Sequence, residues 1–235
     1  MAAAMRRRRR LWYRWTVVNA VASAAALGSG ALIGWALVEA VEDQAGFLPA
    51  ALLSSVFFGL IAGLVLGYAQ HQVVSWPLPF VGVRVWVSAT MLSGIIGWVG
   101  AGGPLDWVGD GFGSQLFGSI LTGAAAGVVL GVPQALVLQP QIERAWHWVW
   151  ANAAGWGLAM PVLFLAAGSL PDDAGWLRFG STAVVSLAVA GAVAGVVNGR
   201  VLVWLVEDRL HPNQYTLHAL EGIAQASAGN DGPFA

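Results

Sequence analysis

The sequence contains no cysteine and no lysine, and only 10% of its 235 residues are charged. The absence of cysteine excludes disulfides, thiolate metal sites and cysteine nucleophiles. Without lysine no retinal Schiff base can form, because that bond needs a lysine amine. A soluble domain usually carries about 25% charged residues. The low charge therefore disfavours a soluble fold.

Hydrophobic side chains instead make up 57% of the chain, and the mean hydropathy is +0.69. They form long runs without charge, each reaching the roughly 20 residues that a helix needs to cross about 30 Å of hydrocarbon. Because lipid offers the backbone no hydrogen-bond partner, such spans must be helical. The sequence predicts an all-α polytopic membrane protein with helices at approximately 15–38, 48–69, 85–105, 114–138, 145–169 and 179–206.

Charge is divided between the two sides of this predicted membrane domain, residues 15–206. The Arg-rich N-terminal segment 1–14, Arg84, Arg144 and the polar tail 207–235 fall on one side. The connections on the other side carry Glu39, Glu42, Asp43, Asp106, Asp110, Asp172 and Asp173, with Arg178 as their one arginine. By the positive-inside rule both termini are expected in the cytoplasm, and a bacterial plasma membrane is the expected location.

The chain also repeats itself. Gly63, Leu66, Gly67 and Gln70 recur as Gly127, Leu130, Gly131 and Gln134, sixty-four positions later (134 minus 70), and a further step reaches Gly191, Gly195 and Asn198. Each unit consists of a helix, an outer loop and a Gly-rich helix that ends in a carboxamide. We therefore expect six transmembrane helices built as three repeated helical hairpins around a pseudo-threefold axis.

The second, fourth and sixth predicted helices carry glycines at helical spacing. These candidate helix-packing residues are Gly59, Gly63, Gly67, Gly123, Gly127, Gly131, Gly191 and Gly195. Glycines four residues apart form one stripe, along which a neighbouring helix can approach closely. We expect these three helices to form the centre of the domain. The odd-numbered helices, which carry many of the tryptophans, are expected outside them with their rings at the interface or toward lipid.

Three carboxamides, Gln70, Gln134 and Asn198, occupy equivalent places near the inner ends of the Gly-rich helices. Together they can form a central polar ring that lines a constriction or binds a polar ligand. The alternative is that they hydrogen-bond to one another between helices, which is the more common use of such groups in membranes. Asn19 and Asn152 are likewise expected to bond each other or a backbone carbonyl.

Two histidines near the predicted inner interface, His71 and His147, are the candidate ligands of a metal or a tetrapyrrole. Neither has a carboxylate or cysteine partner at metal-ligand spacing. The sequence therefore predicts no metal site, and it leaves any cofactor unassigned.

The predicted spans contain no aspartate and no glutamate. A proton-coupled pump normally uses carboxylates inside the membrane, and a membrane enzyme needs a nucleophile with a base or an acidic metal-binding motif. We assign no catalytic residue and interpret the chain as non-enzymatic.

Two segments of the second half carry a resemblance. Residues 127–138 read GVVLGVPQALVL and residues 144–156 read RAWHWVWANAAGW. They resemble uncharacterised bacterial multipass membrane proteins that repeat a Gly-rich helix ending in Gln and short aliphatic residues. In the first half Gln70 is followed by His71 and Gln72 instead of aliphatics. The resemblance implies a membrane topology and no particular activity.

These observations favour a non-catalytic structural or accessory subunit of a larger membrane assembly. Its expected partners are the lipid bilayer and other membrane subunits, and no nucleic acid. The alternative is a small-molecule or ion transporter or channel, with a pseudo-threefold central pathway lined by the three carboxamides. A membrane enzyme is the third and least supported interpretation.

Overall fold

The computed structural model describes residues 2–101, 111–171, 173 and 175–207. These residues form six α-helices and no strand. The helices are α1 (Ala2–Ala45), α2 (Phe47–Val74), α3 (Val83–Ala101), α4 (Phe112–Leu138), α5 (His147–Gly168) and α6 (Trp176–Leu205). The predicted all-α class is therefore confirmed.

Four of these helices are long and apolar enough to cross a membrane. The spans are Leu48–Val74, Phe112–Leu138, His147–Gly168 and Leu177–Leu205, and α3 contributes a shorter apolar stretch, Val83–Gly97. Apolar helices of this length are suited to a lipid bilayer. The predicted end of the third span at 102–105, the acidic residues Asp106, Asp110 and Asp172, and the tail from 208 to 235 lie outside the described residues.

Helix α1 is longer than the predicted first span at both ends. It contains 44 residues, which corresponds to about 65 Å. It includes the arginine run, because alanine and arginine are strong helix formers, and it continues through the acidic residues that we expected in a loop. The connection to α2 is only Gly46, whose φ of 82° suits a residue without a Cβ atom.

The helices form a closed ring in chain order. Each helix contacts the one before it and the one after it, and α1 contacts α6. Among the described residues, α2, α4 and α6 have no Cα atoms within 8 Å of one another. The expectation that these three helices form a centre enclosed by the others is therefore wrong, since odd and even helices share one layer.

The ring is filled at its Arg-bearing end by a hydrophobic core. Trp15, Trp86 and Trp148, one from each odd-numbered helix, are each 0% exposed, and they pack with aliphatic residues that include Leu78 and Leu138. Trp15 and Trp148 meet edge to face with ring centroids 5.4 Å apart. The expectation that tryptophans of the odd helices face lipid is wrong for these three. A buried indole contributes more packing area than any other side chain that could fill the ring.

Candidate functional site

Two of the three predicted carboxamides meet inside the ring. Gln134 Nε2 donates to Gln70 Oε1 at 3.0 Å, and the two side chains are 0% and 1% exposed. Asn198 is equally buried but contacts Asn152 instead, at 3.0 Å between the two side-chain amides. The structure therefore brings Gln70 and Gln134 together and gives Asn198 a separate partner.

Gln134 is the most connected side chain of this polar network. Its Nε2 also donates to Thr90 Oγ1 at 2.9 Å, and its Oε1 accepts from Trp148 Nε1 at 2.9 Å. Interhelical hydrogen bonds in membrane proteins contribute about 0.6 to 2 kcal/mol each. Gln134 thus ties α4 to α2, α3 and α5 at once.

Each carboxamide of an even-numbered helix bonds a polar residue on the helix before it. Gln70 Nε2 donates to Asn19 Oδ1 at 2.9 Å, Gln134 donates to Thr90, and Asn198 contacts Asn152. The pairs therefore join α1 to α2, α3 to α4 and α5 to α6 in the same way.

The polar residues of the odd helices are anchored to their own backbone. Asn19 Nδ2 donates to the carbonyl of Trp15 at 2.9 Å, and Asn152 Nδ2 donates to that of Trp148 at 2.8 Å. Thr90 Oγ1 donates to the carbonyl of Trp86 at 3.0 Å. The expectation of a backbone carbonyl as partner is met for both asparagines, and the alternative that they bond each other is not. An i to i−4 bond of this kind holds the side chain in one orientation against the helix.

Two indole N–H groups in the core lack an acceptor among the described residues. They are Nε1 of Trp15 and Nε1 of Trp86, whereas Trp148 donates to Gln134. The edge of Trp15 that carries Cδ1 lies against Gly199 on α6, where an added Cβ would be 3.0 Å away. Trp86 lacks an acceptor although the carboxamide of the helix before it, Gln70, is a glutamine like Gln134, so the length of the carboxamide side chain alone does not decide whether the indole is paired.

The glycine stripes lie against backbone of the following odd-numbered helix. A Cβ atom at Gly63 would come within 2.5 Å of Met91 Cα, and one at Gly127 within 2.2 Å of the Asn152 carbonyl oxygen. At Gly191 the distance to the Asn19 carbonyl oxygen would be 2.4 Å. Such separations are below van der Waals contact, so only glycine permits these helix crossings.

The same close approach occurs along each stripe. Gly59 lies against Gly94, Gly67 against Thr90, Gly123 against Trp156, Gly131 against Val149, and Gly195 against Thr16. The even helices thus bond the preceding helix through a carboxamide and touch the following helix through glycine.

The two candidate histidines lie apart from this network. His71 Nε2 is 2.9 Å from the carbonyl oxygen of Val81, and His147 Nδ1 is 3.1 Å from that of Arg144. Within the described residues, no three His, Cys, Asp or Glu side chains are grouped so as to hold a metal ion. His71 lies near the end of α2 and His147 is the first residue of α5, and each contacts a backbone carbonyl oxygen.

Sequence reasoning missed Thr90 and the three buried tryptophans. In the fifth helix Trp148 is 0% exposed, whereas Trp146 beside it is 47% exposed. A signal was present, because a tryptophan followed four residues later by Asn or Thr occurs at Trp15, Trp86 and Trp148. That spacing places both side chains on one helix face.

No protein-family model, curated protein or solved structure matches the chain. The resemblance to repeated multipass proteins stays a prediction. The structure itself defines the class of protein: the chain is a helical membrane protein with a buried network of carboxamide side chains.

Proposed function

We propose that the chain is a six-span membrane protein of three repeated hairpins. In this proposal it is a non-catalytic structural or accessory subunit of a larger assembly in a bacterial plasma membrane. The observation that carries the proposal is the burial of Gln70 and Gln134, which are at most 1% exposed and hydrogen-bonded to each other. Side chains used in this way stabilise helix packing and offer no surface to a solute.

Equivalent contacts support the division into three hairpins. In each pair of helices the even helix places a carboxamide on an anchored Asn or Thr of the odd helix. Each even helix also presents its glycines to the next odd helix, and α6 presents them to α1. A repeat that closes on itself accounts for this pattern, since every hairpin then has the same two neighbours.

The orientation is part of the proposal. Arg8 near the start of α1 forms an ion pair with Glu207 just after α6. The start of α1 and the end of α6 therefore lie on the same side of the membrane domain. Arg84 and Arg144 stand in the connections before α3 and α5. By the positive-inside rule this side faces the cytoplasm.

Cysteine labelling tests the orientation directly, because the natural chain has no cysteine. Gln139→Cys lies after α4 and Ser169→Cys after α5, and both positions are exposed. We expect a membrane-impermeant maleimide to label Ser169→Cys in intact cells and Gln139→Cys only after lysis. Labelling of Gln139→Cys alone in intact cells would overturn the orientation.

A transporter with a pseudo-threefold pathway is the competing function. The hydrogen bond between Gln70 and Gln134 lies in the space that the six helices enclose, and three buried tryptophans fill that space nearby. This conformation therefore has no open pathway at that level. Transport would require these hydrogen bonds to break and the core to open.

Purification from the native host in a mild detergent tests the subunit role. We expect one or more membrane proteins in fixed stoichiometry by native mass spectrometry, and none with an unrelated tagged six-span protein expressed at the same level. A chain that elutes alone and carries solute flux in proteoliposomes would overturn the proposal in favour of transport.

A further inference from the structure

A group of basic and aromatic side chains surrounds the end of α6 on the Arg-bearing side. Its members are Trp12 of α1, Arg144 and His147 at the start of α5, and Arg200 and Trp204 of α6, here called the α6 basic-aromatic surface. None of these side chains belongs to the buried network described above.

On one side of this surface, Trp204 contacts Arg144, which lies just before α5, and His147, the first residue of α5. The Arg144 guanidinium carbon lies 5.4 Å from the Trp204 ring centroid. The His147 ring meets Trp204 edge to face with centroids 5.1 Å apart, and His147 Nδ1 is 3.1 Å from the Arg144 carbonyl oxygen. The arginine is thereby placed over an indole face, where the cation and the ring quadrupole attract each other.

Trp12 and Arg200 form the other side. The Arg200 guanidinium carbon lies 5.9 Å from the Trp12 ring centroid. Trp12 is fixed in place, because its Nε1 donates to the Val196 carbonyl at 3.1 Å and its ring edge lies against Gly199. Arg200 and Trp204 are one helical turn apart, about 6 Å along the axis, so the two cation–indole pairs are neighbours.

Neither arginine of this surface forms an ion pair within the described part of the chain. Arg8 pairs with Glu207, but neither Arg144 nor Arg200 has a carboxylate partner among the described residues. A guanidinium lying on an indole still has its N–H donors at its edge, and their fork geometry matches phosphate oxygens. Two exposed guanidinium groups therefore face the region where lipid headgroups lie.

The same face of α6 continues into the membrane as an apolar strip. Val185, Val189 and Val196 are 62%, 44% and 36% exposed, and their spacing places them on the side of α6 that carries Arg200. Positive charge beside an exposed aliphatic strip matches an amphiphile with an anionic head and an acyl chain.

We propose that the α6 basic-aromatic surface binds the phosphate group of an anionic phospholipid, with one acyl chain along the strip. The site rests on the proposed membrane orientation, which places it at the cytoplasmic leaflet, where anionic lipid is abundant. Arg144 and Arg200 bind the phosphate through their guanidinium groups. Trp204 and Trp12 position these two arginines by cation–indole contacts.

Native mass spectrometry in detergent tests this site by titration with phosphatidylglycerol, phosphatidylcholine or inorganic phosphate. We expect the natural chain to bind phosphatidylglycerol in preference to the other two. The double variant Arg144→Gln with Arg200→Gln should lose about tenfold or more in affinity for it. The matched control, Arg14→Gln with Arg84→Gln, removes the same charge at exposed positions without an indole partner and should stay within about twofold.

Equal loss in both double variants would show that affinity follows total charge, and would overturn a defined site. Equally tight binding of inorganic phosphate would overturn the lipid as ligand. A third variant, Trp204→Leu, retains both arginines and should also weaken binding. Far-UV circular dichroism and gel filtration establish that each variant is folded.

The cysteine labelling described above separates this proposal from the proposed function. If Gln139→Cys and Ser169→Cys label as expected and the Arg144/Arg200 variant still binds lipid normally, only the lipid site is wrong. A reversed labelling pattern would overturn both.

Discussion

Replacing Gly127 with alanine tests whether the glycine stripe sets the distance between α4 and α5. The added Cβ would lie 2.2 Å from the Asn152 carbonyl oxygen, 2.5 Å from the Asn152 carbonyl carbon and 2.7 Å from Ala153 Cα. Carbon and oxygen atoms at a close interhelical contact are normally about 3.3 Å apart or more. The two helices must therefore separate by about 1 Å.

The expected loss of stability follows from what the new methyl group meets. All three atoms belong to the backbone, so no side chain can rotate away to make room. Inserting a methyl group into a packed core costs up to about 3 kcal/mol of stability, and we expect a cost at this upper end. The helix-propensity gain of alanine over glycine offsets about 1 kcal/mol of this. We expect the free energy of unfolding of Gly127→Ala to fall by about 2 kcal/mol.

The assay is unfolding of the purified protein in detergent micelles by titration with sodium dodecyl sulfate, followed by far-UV circular dichroism. Gly180→Ala is the matched control, because it lies in α6 with no atom within 4 Å of its added Cβ. It should be neutral or stabilising by up to about 1 kcal/mol. If Gly127→Ala unfolds at the same midpoint as Gly180→Ala, the close contact does not set the packing and the reasoning fails.

Two further changes address the carboxamide network, with the same assay. Gln134→Leu should lower the free energy of unfolding by about 2 to 3 kcal/mol, since it removes three hydrogen bonds and leaves Trp148 Nε1 without an acceptor. An effect no larger than that of the exposed control Gln72→Leu would contradict this. Asn198→Gln should lower the free energy of unfolding by about 1 to 3 kcal/mol, because Asn198 is 1% exposed and packs so closely on α5 that a Cβ added at Gly155 would lie 2.4 Å from its Oδ1. Unchanged or higher stability would show that the site has room for the longer side chain.

Much of the local structure could be predicted from the sequence. A long apolar run in lipid must form a helix, because each backbone N–H and C=O group must find its hydrogen-bond partner within its own segment. The helical class therefore followed from composition. The position of α1 was less well predicted, since the propensity of alanine and arginine extends it beyond the apolar run at both ends.

The partners of the polar side chains were not predictable in the same way. Gln70, Gln134 and Asn198 are equivalent along the chain, yet Gln134 bonds Gln70 while Asn198 contacts Asn152. The partner of each amide depends on how the helices cross and on the distance between them. Neither the crossing of the helices nor that distance is contained in a periodic pattern.

The sequence by itself determined that this protein is helical and apolar, and its spacing indicated which faces carry glycine and which positions carry carboxamides. These are local properties, governed by hydrogen-bond satisfaction in lipid and by the 3.6-residue helical period. Tertiary structure alone decided that the helices close into one ring. It also decided that Trp148 is buried instead of Trp146, and that Thr90 joins the network through Gln134. These outcomes depend on contacts between residues distant in sequence, where small differences in reach and helix separation select each partner.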